Sequence, residues 1–433
     1  MTTHGTEYRL DGIYRQRQEG FLMQRVKLPA GAISAGQAHA VAEIAEQFGR
    51  GLVHLTVRGS IEIHWIREES LPDVKRSLGR AGLTSRGACG GAVRGVTCNS
   101  QGTTGFPVLE SLARRLHRHF TGNPRFERLP KKFKIGIEAS TAKKRHLIQD
   151  VALVLARTEG CQAWYDVWIA GGLGREPQEG FLLAEAVAET RLIPLIEAII
   201  RVYAAHTPAG KRLKHLVREI GREELLRRIE AEPTAHEELP PVTGLPESLV
   251  PDDMDGGNHI EVPFFAGEMT SANLRDLAVF ADTHAGGMLM VSGTQNMAVT
   301  LPAGSDTDSG RDALVRTGFT TDTREARVTF RICPGSHECI MGLTPTRDVA
   351  REVIDAMGPV AESLTWAISG CQNSCSQPQL ADIGIVSSRL VTGEDGQRSP
   401  RFDIYRAQEG GLGIKTGEAL DKDALLAELK RLG

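Results

Sequence analysis

Four of the seven cysteines in this chain fall between residues 333 and 375. They are spaced Cys333-x5-Cys339 and Cys371-x3-Cys375. Thiolates are the ligands that hold iron–sulfur clusters, and four of them complete one cubane. Cys371 and Cys375 share one face if they sit on a helical turn. Gly335, Gly342 and Gly370 allow close backbone approach around them. The pattern therefore points to a [4Fe–4S] site. A structural zinc site competes, but five intervening residues is wide for a zinc knuckle. Buried, unligated thiols are the plain alternative. Cys89, Cys98 and Cys161 lack the spacing and read as core thiols, with a reservation for Cys98 because it follows Arg94.

A second constellation is cationic. Lys132 and Lys134 sit in KFKIGIEA. On a strand they point to one face, while Phe133, Ile135 and Ile137 point to the other. Two like charges side by side repel, so an apolar-backed pair suggests a shared anion. An exposed strand face is the competing reading. Arg58 lies in the turn of LTVRGSIEIH and Arg94 in AVRGVTC. Taken singly, each reads as a surface arginine.

The elements that must position these residues repeat. In residues 26–65, Ser34 can cap a helix carrying the stripe Val41, Ile44, Ala45 and Phe48. Gly49 and Gly51 end it, and LVHLTV and IEIHW follow as strands. Residues 262–301 have the same order, with Thr270 or Ser271 as cap and Leu274, Leu277, Ala278 and Ala281 as stripe. Gly286 and Gly287 end that helix, and MLMV and MAVTL are its strands. Val26, Ala30, Gly31, Ala42, Ala45 and Gly51 fall without a gap on Val262, Ala266, Gly267, Ala278, Ala281 and Gly287. A duplication follows. Extended less regularly, it sets Arg94 opposite Arg331, and KFKIGIEAS opposite LTWAISGCQNSC. One half then offers cations where the other offers thiolates. Halves packed face to face would hold a flat cofactor between them.

The domains expected are a first small α/β repeat (1–85), a first α/β domain with the basic residues (86–230), a Pro- and acid-rich linker (231–258), a second small repeat (259–320) and a cysteine-bearing domain (321–433). The basic stretch GKRLKHLVREIGREELLRR reads first as a solvated helix face, and second as a partner for a cofactor carboxylate or an acidic protein.

The residues quoted so far resemble the sirohaem-dependent sulfite and nitrite reductases over nearly the whole chain. The stretches that carry the resemblance are YRQRQEGFLMQRVKLPAG, LTVRGSIEIHWI, VRGVTC, LPKKFKIGIEAS, GGLG (171–174), GTQNM, CPGSHEC and SGCQNSCSQPQLADIGIV. The resemblance implies an α+β fold: a pseudo-twofold pair of halves, each a ferredoxin-like repeat plus an α/β sirohaem-binding domain. It implies that Cys333, Cys339, Cys371 and Cys375 bind the [4Fe–4S] cluster and that Cys375 also bridges to the sirohaem. It implies that Arg58, Arg94, Lys132 and Lys134 grip the oxyanion, with Arg58, Arg94, Gln295 and Asn373 at the cofactor. Lys134 stands where nitrite reductases of the family tend to carry asparagine, so sulfite is the expected substrate and nitrite the alternative. CQNSC replaces the commoner C-P-N-x-C, and IMG follows Cys339 where S-L-A is usual.

A precorrin-oxidising monooxygenase shares this fold, but its reaction needs no anion cage. A non-catalytic sirohaem subunit would break the basic set. No flavin or nicotinamide domain is evident, and GGLG is not the G-x-G-x-x-G fingerprint. Electrons are therefore expected from a separate ferredoxin-like carrier or reductase subunit.

Composition agrees. The 433 residues are 41% hydrophobic and 24% charged, ordinary for a globular protein. A net charge of −3 leaves no footprint for nucleic acid. No apolar run is long enough to span a membrane. The start has no apolar leader core, so a cytoplasmic location is expected. An odd cysteine count in such a chain argues against a disulfide framework.

Overall fold

The computed structural model describes residues 8–432 except 104, 161, 242–257, 320–322 and 395. Cys161 and most of the expected linker lie outside the described residues. The described start of that linker is folded: Pro233–His236 form a short 3-10 turn, Ala235 is buried, and Leu239 N donates to Thr190 O (3.0 Å).

The first repeat builds its helix, Ala35–Phe48, as its residues dictate. Ser34 accepts from Gln37 N, and the Gln37 side chain accepts from Ser34 N, a capping box. Val41, Ala42, Ile44 and Ala45 are buried, and Gly51 takes a left-handed φ of 65°. In the second repeat Thr270 caps Ser271–His284 by accepting from Asn273 N, and Gly287 has φ 75°. Ala30 and Ala266, matched in the sequence, share left-handed φ values of 53° and 58°. The duplication is real at the level of single backbone angles.

The two repeats are interlocked. The strand Glu268–Thr270 pairs with Leu52–Leu55, with Met269 opposite Val53. Ala32–Ser34 pairs with Met288–Val291, with Ile33 opposite Leu289. Each repeat thus completes the other's sheet, and one core takes Val41, Ile63, Leu274 and Leu289 together. The described residues of the ranges 1–85 and 259–320 pack as one structural unit.

Each larger segment is a five-stranded sheet with helices. In the first, Thr97–Cys98, Ile135–Glu138 and Val151–Glu159 run parallel, followed by the antiparallel Gln162–Ile169 and Phe181–Ala188. In the second, Thr329–Ile332, Thr365–Ser369 and Ile383–Thr392 run parallel, followed by the antiparallel Arg398–Arg406 and Ile414–Leu420. Over their parallel-paired stretches these strands are almost wholly buried, as expected for strands covered on both faces, while residues 155–159 and 388–392 run on toward the surface. Among the described residues, no helix is long and apolar enough to cross a membrane.

Strand register corrects one expectation. Thr97 pairs with Gly136, which pairs with Ala152; Arg331 pairs with Ala367, which pairs with Gly384. Asp150 Oδ2 accepts from Lys134 N (2.8 Å), and Asp382 Oδ2 accepts from Thr365 N (2.8 Å). Asp150 O and Asp382 O accept from Ala170 N and Ala407 N, each at 3.0 Å. Arg331 is therefore the counterpart of Thr97, not of Arg94, and Lys134 that of Thr365. The cations precede their parallel strands, whereas the cysteines follow theirs. They occupy opposite strand ends rather than equivalent places.

Candidate functional site

The cysteines stand on the loops that leave two parallel strands. Cys333 follows Thr329–Ile332, and Cys371 follows Thr365–Ser369 by one residue. Three glycines let these loops touch. A Cβ on Gly342 would lie 2.1 Å from the Gly335 carbonyl carbon, and one on Gly370 would lie 2.7 Å from Gly335 Cα. Leu343 N donates to Gly370 O (2.7 Å), tying the loops together. Gly370 N donates to Cys333 Sγ (3.1 Å). Met341 and Gly342 donate backbone N–H groups toward Cys339, and the backbone and side chain of Asn373 hydrogen-bond Cys371.

The four thiols are electrostatic neighbours. Burial pushes Cys333 and Cys339 up and Cys371 up to about 11, and Cys375 adds to each shift. A thiol must lose its proton to bind a metal, so these become thiolates when a metal compensates the burial. Among the described residues, no three His, Cys, Asp or Glu side chains gather as a single-ion site would require. Four thiols that act on one another electrostatically and receive donated N–H groups fit a four-thiolate cluster site. Cys89 and Cys98 are buried away from this set, Cys98 on its own core strand.

Gln295, expected at the cofactor, makes three hydrogen bonds to the backbone. Its Nε2 donates to Leu55 O (2.9 Å) and Ile332 O (3.0 Å), and its Oε1 accepts from Ile332 N (2.6 Å). It is 2% exposed with φ 67°. It fixes the strand that ends at Cys333 and ties it to the first repeat.

The cations converge from the other half. Arg94 N donates to Phe133 O (2.8 Å), so the Arg94 segment runs beside the one bearing Lys132 and Lys134. The Arg94 guanidinium donates to Ala88 O, while its buried Nε has no partner. Arg58 reaches in from its turn, donating to Gln149 Oε1 (3.1 Å) and Gly95 O (3.0 Å). Burial, then Arg94, Arg212 and Arg25, push Arg58 down to about 9. Burial lowers Lys132 to about 8 against the raising effect of Cys375, with Arg212 and Arg94 lowering it further. Burial, then Arg58 and Lys132, hold Lys134 well below its ordinary value. Both lysines are half-buried, so they border a recess rather than a packed core.

Arg212 was missed among the candidate residues. It is 3% exposed and binds the fully buried Asp150 through Nε (3.2 Å) and Nη2 (2.7 Å). Gly171 and Gly172 make room for it: a Cβ on Gly172 would lie 2.4 Å from Arg212 Nη1. Lys214, 2% exposed, donates to Gly172 O and Leu173 O (both 3.3 Å). The basic stretch is therefore not simply a solvated face. Arg212 and Lys214 turn inward from it, and GGLG is the receptacle. Asp150 is the carboxylate that faces Arg58, Lys134 and Arg212. Several buried cations around one carboxylate leave a positive recess, which suits anionic substrate and carboxylate-bearing cofactor alike.

Lys132 and Cys375 influence each other electrostatically. Thus the cationic end of one half faces the thiol end of the other. Arg175 Nε donates to Gln372 Oε1 (2.8 Å), and Glu179 Oε1 accepts from Leu412 N (2.8 Å) across the same seam.

The chain is similar to known proteins over nearly its whole length. Residues 14–81 match the nitrite/sulfite reductase ferredoxin-like half domain, and residues 92–237 match the nitrite and sulphite reductase 4Fe-4S domain. An assimilatory ferredoxin-dependent nitrite reductase of Haloferax mediterranei is 27% identical, the match covering 94% of this chain and 77% of that protein. A sulfite reductase [ferredoxin] of Mycolicibacterium paratuberculosis is 26% identical, covering 95% and 80%. The solved structure of the Mycobacterium tuberculosis NirA protein superposes with a TM-score of 0.82 at 22% identity, covering 100% of this chain and 87% of that one.

Proposed function

We propose, from the premise that this chain belongs to the sirohaem-dependent sulfite and nitrite reductase family, that its substrate is sulfite, reduced to sulfide with electrons from a separate ferredoxin-like protein. The family makes it an oxidoreductase with a sirohaem and a [4Fe–4S] cluster. The choice of sulfite rests on Lys134, the fourth cation of the set.

Cys333, Cys339, Cys371 and Cys375 would hold the cluster, with Cys375 as its link to the sirohaem. When bound, the two groups supply the electrons that side chains cannot store. The chain's own residues do the rest. Arg58, Arg94, Lys132 and Lys134 bind and orient the anion, each charge-assisted contact being worth roughly 1.5–3 kcal/mol. Asp150 and Gln149 hold Lys134 and Arg58 in place. Sulfite to sulfide takes six electrons and six protons. Lys132, pushed down to about 8, can give up a proton from Nζ near neutral pH and recover it from solvent.

A doubly charged oxyanion gains more from a fourth cation than a singly charged one does, which favours sulfite over nitrite. Nitrite has support of its own, because relatives such as those of Haloferax mediterranei and Leptolyngbya laminosa are named nitrite reductases. The unbroken basic set argues against a precorrin-oxidising monooxygenase and against a non-catalytic subunit. Steady-state kinetics of the holoprotein with reduced methyl viologen decide the matter. Sulfite should show the higher kcat/KM, and Lys134→Asn should lower sulfite turnover more than nitrite turnover. Equal losses on both anions would remove the basis for the choice.

A further inference from the structure

One face of the first repeat's sheet carries a row of ionisable side chains. The strands Phe21–Val26, Ile61–Arg67, Leu52–Leu55 and Glu268–Thr270 lie side by side. Their ladder sets Arg25 opposite Glu62, Glu62 opposite His54, and His54 opposite Glu268. His64 lies two residues along from Glu62 and so shares its face. The other face sends Val53, Leu55, Ile61 and Ile63 into the core. Glu62, His54 and His64 are buried.

The row is a connected network. Arg25 Nε donates to Glu62 Oε1 (2.9 Å). Glu62 Oε2 lies 3.3 Å from His64 Nε2 and 3.6 Å from His54 Nδ1. His54 Nε2 and His64 Nδ1 have no partner among the described residues. Burial opposes the charge on Glu62, but Arg25 and the two imidazoles hold it well below the ordinary carboxylate range. His54, His64, Glu268, Glu338 and Arg347 line a cavity of about 10 Å³, the size of one water molecule. Glu268 is half-buried, so the row reaches the surface there. Arg347 pairs with Glu268 (3.1 Å) and with Glu338, the residue before Cys339. Glu62 acts electrostatically on Cys339 itself. The row therefore ends against a cluster cysteine.

Its charges do not balance. Arg25 and Arg347 stand against Glu62, Glu268 and Glu338, which leaves one negative charge uncompensated while both imidazoles are neutral. An electron arriving on the cysteine side adds a second negative charge, and like charges repel strongly away from water. Imidazole is the side chain that takes up a proton near neutral pH. We propose that His54 and His64, seated on Glu62, form the proton-uptake site that accompanies each electron onto the cluster. One electron comes from the separate donor protein. One proton comes from water, through the cavity, to an imidazole nitrogen. Both leave when the electron passes on to the substrate. The two histidines are positioning residues, acting through charge rather than by touching the anion. The inference rests on the reductase reading above and adds a proton site to it.

Redox titration of the holoprotein, followed by the electron paramagnetic resonance of the reduced cluster, measures the cluster potential against pH. In the unaltered protein the potential should fall as pH rises through the imidazole range, about pH 5–8, by up to about 59 mV for each tenfold drop in proton concentration. Combining His54→Gln with His64→Gln should flatten that slope at full iron content. A potential independent of pH in the unaltered protein would overturn the inference, as would the full slope in the double variant. Glu268→Gln leaves both imidazoles in place and removes a carboxylate from the cavity, so it should move the pH-dependent region to lower pH. If the double variant takes up no iron, Glu268→Gln decides, and an unmoved region overturns the inference. If the unaltered holoprotein holds its cluster but reduces neither anion with reduced methyl viologen, the reductase reading fails, while the potentials still judge the two histidines.

Discussion

Asp150 offers the most quantitative test of how the cationic recess is built. Its carboxylate is 0% exposed and accepts three hydrogen bonds, two from Arg212 (3.2 and 2.7 Å) and one from Lys134 N (2.8 Å). Asp150→Asn keeps the shape and an acceptor for Lys134 N but removes the charge that balances Arg212. Breaking a buried pair by removing one partner costs about 3–5 kcal/mol. Unfolding entropies of about 2.1 cal/mol/K per residue give a chain of 433 residues roughly 0.9 kcal/mol/K, so the Tm should fall by about 3–6 °C. Arg212→Met added to Asp150→Asn removes the stranded charge and should recover part of the loss, because apolar replacements of buried pairs are often tolerated. The assay is calorimetric unfolding of the holoprotein. A Tm for Asp150→Asn within about 1 °C of the unaltered protein would refute the reasoning, as would a double variant whose loss equals the sum of the two singles.

Other consequences follow from the same geometry. Lys132 sits at about 8, depressed from its ordinary value, so its charge is present below that pH and lost as pH rises through it; kcat/KM for the anion should fall above about pH 8, and Lys132→Arg should move the fall upward. Unchanged pH profiles would count against Lys132 as an anion ligand. Gly342→Ala would drive a Cβ to within 2.1 Å of the Gly335 carbonyl carbon, so the purified variant should lose cluster iron and its visible absorbance; full iron content would contradict the packing described. Gln295→Ala frees the strand before Cys333 and Leu55 O together, and should cost about 1–3 kcal/mol of stability by unfolding measurements.

Much of this was legible in the residues. The cysteine spacing pointed to a cluster site because thiolate count and separation are set by such a cofactor rather than by the fold. The helix caps and glycines of the two repeats were readable because caps are local chemistry: Ser34 and Thr270 need only their own next turn. What escaped was non-local. Arg212 resembled its exposed neighbours because its burial depends on Gly171 and Gly172, some forty residues upstream. The strand exchange escaped because Ala32–Ser34 and Glu268–Thr270 are three residues each, too short for alternation to show. The counterpart of Arg331 was misplaced by three residues, since loops of unequal length separate the repeat from its sheet and only the ladder fixes the register.

On the proposed function, the anion is held between the cations of one half and the cluster side of the other. Iron-edge anomalous diffraction from crystals of the holoprotein with bound sulfite tests it most directly. Cluster iron should lie ringed by Cys333, Cys339, Cys371 and Cys375, and an anion should touch Arg58, Arg94, Lys132 and Lys134 on the side that faces Cys375. Iron held elsewhere, or an anion bound away from those four side chains, would contradict it.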